Sequence, residues 1–561
     1  MRKVINVVPV IGLIALLAMH LWLGLAWIAQ TTHPGGVDEV TNLNWTFRFH
    51  HTLANHAYDD PLRFVLGSEH FLTTPPLLFM LSSLGFRAMD PSWATCLLVP
   101  LGSLLLWIFA GYLLAARLAG RWAGLTAAAL IGSGPMAYLF GRTYNTSCLA
   151  AALITLALWA QVSSDGLRRL WPSLLIGPLI GLALIAERAT PAVALAGPTL
   201  VLFAAALIRA RHDAGQLRRA IALTVLATAV ALALSLPFLR SYIEVTWQHN
   251  AELMRQPVNQ VAGPWDADRP GWFYYLNGLI TAQQVPLVAL AALLGLVPLL
   301  VHRRVEGLAL LAWLALPLIF FAPIAQRSLN YTFSIAAALC VIAAAGPALM
   351  QRSELQWPKR ATLALLLILG VLKPLDCALG WRVLHVSERT SPDSLLQLVV
   401  DPTQFQIPEP SPLSGYFWEP EVERMLADNQ GDQVLFLRAE PGYAVENSRI
   451  LFALALAQRP TLKAYMLHRP CAALGAQGLP NEGEVSLLLA PIDLKTSQAL
   501  AARLSYDTWG AAEYSRDLDG ATCDAVCAAL GEAVIERRPD VALGNGRTLS
   551  YGLINGGLNW P

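Results

Sequence analysis

Long apolar runs fill residues 1–380, and nearly every second connection between them carries a cluster of Arg or Lys. Inside a bilayer a backbone has no water to bond, so runs of about 20 apolar residues must close their hydrogen bonds as helices. Basic clusters stay on the cytoplasmic side, so their alternation assigns a side to each connection. The pattern predicts a multi-span α-helical protein of a bacterial inner membrane. The chain has 55% hydrophobic and 14% charged residues, too little charge to cover a water-facing surface of this size. A net charge of +1 gives no basic field for nucleic acid. Seven Cys in 561 residues form no metal or disulfide scaffold.

Arg2 and Lys3 precede an apolar run from Val4 to about Ala29. It is too long for a cleaved signal and lacks a small-residue cleavage site, so it is read as the first span, with the N-terminus inside. Further spans are expected at 93–117, 121–140, 145–162, 171–186, 189–208, 218–238, 283–301, 307–323, 329–349 and 361–379, about eleven in all. The turns at 117–121, 168–169, 209–219, 302–304 and 352–360 then all lie inside. Residues 75–89 are apolar but short. If they crossed, every later basic turn would face outward, so a re-entrant or interfacial helix is the preferred reading and a short true span the alternative.

This divides the chain into a transmembrane region, 1–379, and an extracytoplasmic region, 380–561. Two outer loops, 31–74 and 239–282, belong to the first. The second loop carries Trp265, Trp272, Phe273, Tyr274 and Tyr275. Rings at this level serve either as headgroup anchors or as substrate contacts. The C-terminal region has Pro-rich connections, strand-like runs in "GDQVLFLRAE" and "GEVSLLLAPI", and helix-like runs in "SRILFALALAQ" and "SQALAARLS". That mixture predicts a small mixed α/β domain. Cys471 pairs with Cys523 or Cys527 if the compartment is oxidising, or all three stay as thiols.

The first outer loop contains Asp38 and Glu39 after a Gly35–Gly36 turn. Acidic residues in the first turn of a helix are favoured electrostatically, and that alone accounts for the pair. The chemical reading makes a carboxylate at the membrane surface a general base toward a hydroxyl or amine. A departing phosphate would then need cations. Arg142, Arg188, Arg240 and Arg327 stand at the outer ends of expected spans. Arg188 also follows Glu187, so an internal ion pair competes there. His33, His50, His51, His56 and His70, with Asp59 or Glu69, are the side chains a divalent metal would use. None shows a zinc spacing, and solvated loop histidines with no bound metal are the expectation.

Several segments together carry a resemblance. They are Asp38–Glu39, "FLTTPPLLFMLSSLGFRAMD", "RLAGRWAGLTAAALIGSGPMAYLFGRTYNTSCLAAALITLAL", "LIGLALIAERATPAV" and "IAQRSLNYTFSIAAAL". Over about residues 1–350 the chain resembles the GT-C membrane glycosyltransferases, the family of protein O-mannosyltransferases and lipid A aminoarabinose transferases. The resemblance implies a polyprenyl-phosphate sugar donor and transfer with inversion to a lipid, glycan or protein acceptor on the periplasmic side. It implies Asp38 as the catalytic carboxylate, Glu39 in acceptor positioning, and Arg327 with Tyr331 at the donor phosphate. The chain also departs from the family. Glu187–Arg188 replaces a Lys, so Arg188 would supply that cation. Thr73–Thr74 stands where aminoarabinose transferases place a metal-ligating Glu, and Asn145 lies near an expected Asp. A transporter or a non-catalytic assembly protein for envelope glycans is the competing expectation, although the sequence shows no internal repeat.

Overall fold

The computed structural model describes residues 2–30, 42–43, 46–47, 49–50, 75–89, 91–187, 189–253, 271–324, 328–350 and 356–379, together with seven strands of the C-terminal region. The first helix, α1, is Arg2–Gln30, and α2 is Leu77–Gly85. Then follow α3 (Trp93–Ala119), α4 (Arg121–Gly132), α5 (Pro135–Phe140), α6 (Ser147–Ser163) and α7 (Leu170–Leu184). Next come α8 (Ala189–Ala210), α9 (Ala214–Leu253) and α10 (Gly271–Gly278), the last running into a π turn, Leu279–Gln283. The remaining helices are α11 (Pro286–His302), α12 (Arg304–Phe321), α13 (Ile335–Leu349) and α14 (Gln356–Leu379), with a 3₁₀ turn, Leu329–Thr332, before α13.

Among the described residues, five helices are long and apolar enough to cross a membrane, over residues 7–29, 93–119, 189–210, 214–236 and 304–321. Four shorter apolar helices, α6, α7, α11 and α13, stand beside them. Their surfaces are those of a multi-pass membrane protein. On α11, Leu293, Val297 and Val301 are 65–70% exposed, while Val288, Gly295 and Leu299 on the other side are buried. A helix that is apolar on its exposed face as well as its buried one belongs in lipid. By contrast α13 is buried all round, with Ala336, Ala337, Ala338, Ala343, Ala344 and Ala345 fully covered.

Lipid tails are as apolar as leucine, so burial alone does not drive these helices together. Close packing does, through small residues. α11 lies against α13, α7 against α9, and α4 against both α13 and α14. At the first crossing, a Cβ on Gly295 would stand 2.6 Å from the Ile342 carbonyl oxygen and 3.3 Å from Gly346 Cα. A Cβ on Gly346 would collide with the Gly295 backbone. Likewise a Cβ on Gly177 of α7 would stand 2.6 Å from the Ala227 carbonyl of α9.

Several boundaries differ from those expected of the sequence. The expected span at 121–140 is broken. Gly134 and Pro135 follow the end of α4, and Pro135 opens α5, where its missing N–H has no helical partner to lose. Residues 239–282 were expected to be a loop, yet α9 runs on to Leu253, and α10 and the π turn occupy 271–283. The apolar part of α9 ends at Leu236, yet the helix runs on through Pro237 to Leu253. Hydropathy locates the membrane boundary, not the helix end. Within 75–89, α2 has nine residues. At about 1.5 Å per residue it is less than half a hydrocarbon core in length, which excludes the short-span reading. The expected span at 329–349 opens with the 3₁₀ turn before α13 begins.

The chain divides into two units. One comprises residues 1–29, 69–78 and 98–407, and the other 30–68, 79–97 and 408–561. The second contains a seven-stranded mixed sheet of β1 (Gln433–Arg438), β2 (Lys463–Leu467), β3 (Val485–Pro491), β4 (Ala512–Tyr514), β5 (Val534–Arg537), β6 (Val541–Leu543) and β7 (Arg547–Asn555). Its order is β4-β2-β1-β3-β7-β5, with β6 also paired to β7. β1 is parallel to β2 and antiparallel to β3, with Leu435 opposite Tyr465 and Ala490. β1 and β3 coincide with the two apolar runs quoted from the sequence. The helix-like runs between strands, and Cys471, Cys523 and Cys527, lie outside the described residues.

The glycine crossing yields a prediction. Gly346→Leu forces α11 and α13 apart at their tightest point. The purified protein is expected to lose about 1–3 kcal/mol, the usual cost of overpacking. A thermal midpoint in detergent equal to the parent's would show that the crossing tolerates a side chain.

Candidate functional site at one end of the helical unit

The turn between α5 and α6 builds the best-defined polar cluster. Arg142 is 5% exposed. Its guanidinium lies 3.2 Å from the centre of the Tyr138 ring and 5.4 Å from that of Trp27. Nη2 donates to the Leu23 carbonyl at 3.4 Å. A weakly hydrated planar cation suits such stacking, which ties α1 to α5.

Three residues on, the start of α6 is fixed by side chains. Asn145 Oδ1 accepts the Ser147 N–H at 2.8 Å, and Ser147 Oγ donates to Glu187 Oε1 at 3.2 Å. A carboxylate beside a helix N-terminus is electrostatically favoured. Two residues before Glu187, the Ile185 carbonyl accepts the Leu77 N–H at 3.2 Å. Leu77 opens α2 directly after Pro75 and Pro76, which are both buried. Prolines there pre-set the backbone for the first turn and need no hydrogen bond. The structure therefore brings three segments of the sequence to one place: Pro75–Pro76, the turn around Arg142–Ser147, and Ile185–Glu187.

Tyr331 lies in the 3₁₀ turn, its ring stacked on Phe321 with centroids 4.9 Å apart. Ser328 Oγ accepts from the Asn330 N–H and shapes that turn. Gln283, fully buried in the π turn, donates from Nε2 to the Leu329 carbonyl and to Thr332 Oγ1, both at 2.9 Å. Phe333 then meets Phe140 edge-on at 4.9 Å, two residues before Arg142. That contact joins the turn of Tyr331 to the turn of Arg142. Gln284 also points inward, donating to the Leu130 carbonyl at 3.3 Å. Sequence reading missed Gln283 and Gln284. Two adjacent amides inside the apolar stretch "LITAQQVPL" are the signal that could have found them.

Of the other site residues, Asp38, Glu39, Arg188 and Arg327 lie outside the described residues. Arg240 is placed only as a position within α9. Among the histidines proposed for metal, His50 alone is described. Its Nδ1 is 3.2 Å from Ser83 Oγ, and its ring meets Phe86 edge-on at 5.1 Å. Phe47 stacks on the same Phe86 with centroids 5.6 Å apart. Among the described residues, no three His, Cys, Asp or Glu side chains gather to hold a metal.

Burial, and secondarily the nearby positive charge of Arg87, hold the His50 pKa below its ordinary value of 6.5. A lowered folded pKa means that the unfolded chain binds the proton first. The associated stability is present above pH 6.5 and is lost as the pH falls below it toward the folded value. Between pH 7 and 5 the thermal midpoint of the parent is expected to fall more steeply than that of His50→Gln. Parallel profiles would mean that His50 titrates as in a free chain.

No protein-family model matches the chain, and no curated protein sequence does. Solved structures with partial likeness include ArnT from Cupriavidus metallidurans bound to undecaprenyl phosphate. That match has 16% identity, covers 84% of this chain and 82% of that one, and has a TM-score of 0.46. The same protein in its apo state matches at 15% identity, 84% and 81% coverage, and a TM-score of 0.45. The apo oligosaccharyltransferase of Archaeoglobus fulgidus matches at 16% identity, 80% and 64% coverage, and a TM-score of 0.42. Scores at this level carry no argument about activity.

Proposed function

We infer that this chain is an inverting glycosyltransferase of GT-C type. It moves a sugar from a polyprenyl-phosphate carrier to a lipid, glycan or protein acceptor at the outer face of the bacterial inner membrane. The observation that supports this reading is the meeting of Pro75–Pro76, Arg142–Ser147 and Ile185–Glu187 at one end of the helical unit. Those are three of the segments on which the family resemblance rests, and they are far apart in the sequence.

In this reading Asp38 accepts the proton of the acceptor nucleophile as it attacks the anomeric carbon. The bond from that carbon to the phosphate oxygen breaks, and the polyprenyl phosphate departs from the opposite face with the bonding electrons. Glu39 orients the acceptor. Arg188, Arg240 and Arg327, with Tyr331, meet the phosphate, where charge accumulates as the bond breaks. Arg142 belongs with these phosphate-binding cations, and its stacking on Tyr138 and Trp27 and its bond to the Leu23 carbonyl fix where its guanidinium stands. The C-terminal region lies on the same outer side, as the basic connections ask.

Asp38→Asn keeps the shape of the side chain and removes the base. Purified protein is expected to bind donor as the parent does, while transfer falls roughly 100-fold or more. Transfer near the parent rate would leave Asp38 and Glu39 as a helix-opening pair. Arg327→Ala is expected to weaken binding of the lipid-phosphate donor more than that of an uncharged polyprenol, because charge-assisted bonds are lost. Equal weakening in a titration would assign Arg327 to structure.

A further inference from the structure

The other end of the same helices carries a built cationic recess. Arg117 at the end of α3, Arg209 at the end of α8 and Arg303 before α12 line one hollow of about 40 Å³. Arg168, Arg209 and Arg219 line a second of about 250 Å³. The two share Arg209 and the turn Asp165–Gly166–Leu167. Four basic turns, widely separated in sequence, thus converge on one place. Five guanidiniums face two carboxylates, Asp165 and Glu306.

The shared turn is held open by its backbone. Asp165, Gly166 and Leu167 are all left-handed, with φ of 52°, 67° and 65°. Ser164 holds them there, its Oγ donating to the Gln161 carbonyl and accepting the Leu167 N–H. Leu167 is 2% exposed among Ala160, Ala206 and Leu223, and that burial offsets a conformation costing about 1–2 kcal/mol. Arg209 Nη1 stands 4.0 Å from the point where a Cβ on Gly166 would sit.

Among the described residues, two buried polar atoms at the first hollow lack partners. Gln161 is 4% exposed, and its Nε2 donates to Thr199 Oγ1, but its Oε1 accepts nothing. Arg117 Nε is buried and donates to nothing. A positive-inside bias explains arginines at this end. It does not explain a buried acceptor and a buried guanidinium nitrogen left open on the same wall. Leu202 and Phe203 line that wall too, and Leu200 and Leu308 lie exposed along the adjoining α8 and α12. The recess is thus cationic at its floor and apolar at its membrane flank.

We propose that this recess binds the headgroup of an anionic phospholipid from the leaflet at that end. The phosphodiester lies among Arg209, Arg168 and Arg219, a headgroup hydroxyl donates to Gln161 Oε1, and the acyl chains follow α8 and α12. At roughly 30 Å³ of liquid volume per water, 250 Å³ accommodates a phosphoglycerol group. Basic pockets between membrane helices take such headgroups. The proposal does not depend on the glycosyltransferase reading.

The test is retention of lipid by native mass spectrometry. The protein is taken from nanodiscs of mixed phosphatidylglycerol and phosphatidylcholine. The parent is expected to retain phosphatidylglycerol in preference. Arg209→Gln and Arg168→Gln are each expected to lower that retention about fivefold. Arg211→Gln removes an equal charge from the same connection outside the recess, where Arg211 Nε donates to His212. It is expected to leave retention unchanged. Thermal midpoints in pure phosphatidylcholine, equal to the parent's, show the variants folded. Equal losses for Arg211→Gln and Arg209→Gln would overturn the proposal in favour of diffuse surface charge. So would displacement of the lipid by millimolar glycerol 3-phosphate, which would make the recess a site for a soluble anion.

Discussion

Everything described in the helical unit depends on how closely the helix backbones approach. In lipid, a helix gains nothing by exchanging a tail contact for a leucine contact, so association depends on dense packing. At Gly295 and Gly346 two backbones touch with no side chain between them. The same device recurs where Gly177 meets the Ala227 carbonyl and where Gly370 meets Ala129. These crossings bring α13, α4 and α14 into one alanine-rich centre. With that centre fixed, the short turns at either end of the helices have fixed positions, and chemistry can be placed on them.

The turns are then secured by a few polar anchors that satisfy buried backbone groups. Gln283 holds the carbonyl and hydroxyl of the Tyr331 turn, Gln284 holds a carbonyl of α4, and Ser147 links α6 to Glu187. Each would be costly if unpaired in this setting. The switch from the π turn at Gln283 to extended backbone at Gln284 is what lets two consecutive glutamines both face inward.

The helices were legible in the sequence because hydropathy and basic turns report what lipid demands. α3, α6, α7, α8 and α11 fall within a few residues of the expected spans. The break at Gly134–Pro135 was written in the sequence but was overridden there by the apolar residues on both sides. The extension of α9 to Leu253 was invisible to hydropathy, which drops after Leu236 while the helix runs on through Pro237. The candidate site was legible in part. Pro75–Pro76, Arg142, Asn145 and Glu187 were singled out, yet no local pattern told that Ser147 would bond Glu187 or that Leu77 would bond Ile185. Those bonds join residues 40 or more positions apart, and only the packed bundle determines them.

A sequence reading also weighs every arginine alike, whereas the fold separates them by solvation. α6 has Arg142 just before its start and the Arg-lined recess at its end. Arg142 is covered, and its charge is taken up by two ring faces and a carbonyl, so it holds helices together. Arg168, Arg209 and Arg219 are exposed around an open hollow, with charge left to meet something else. Stacking occupies the faces of a guanidinium, whereas an anion is bound by the N–H groups at its edge, and burial narrows the route by which the anion arrives. An arginine at a span end is therefore a candidate anion site only when its surroundings leave the fork of donors open. In the recess, Arg168, Arg209 and Arg219 meet that criterion.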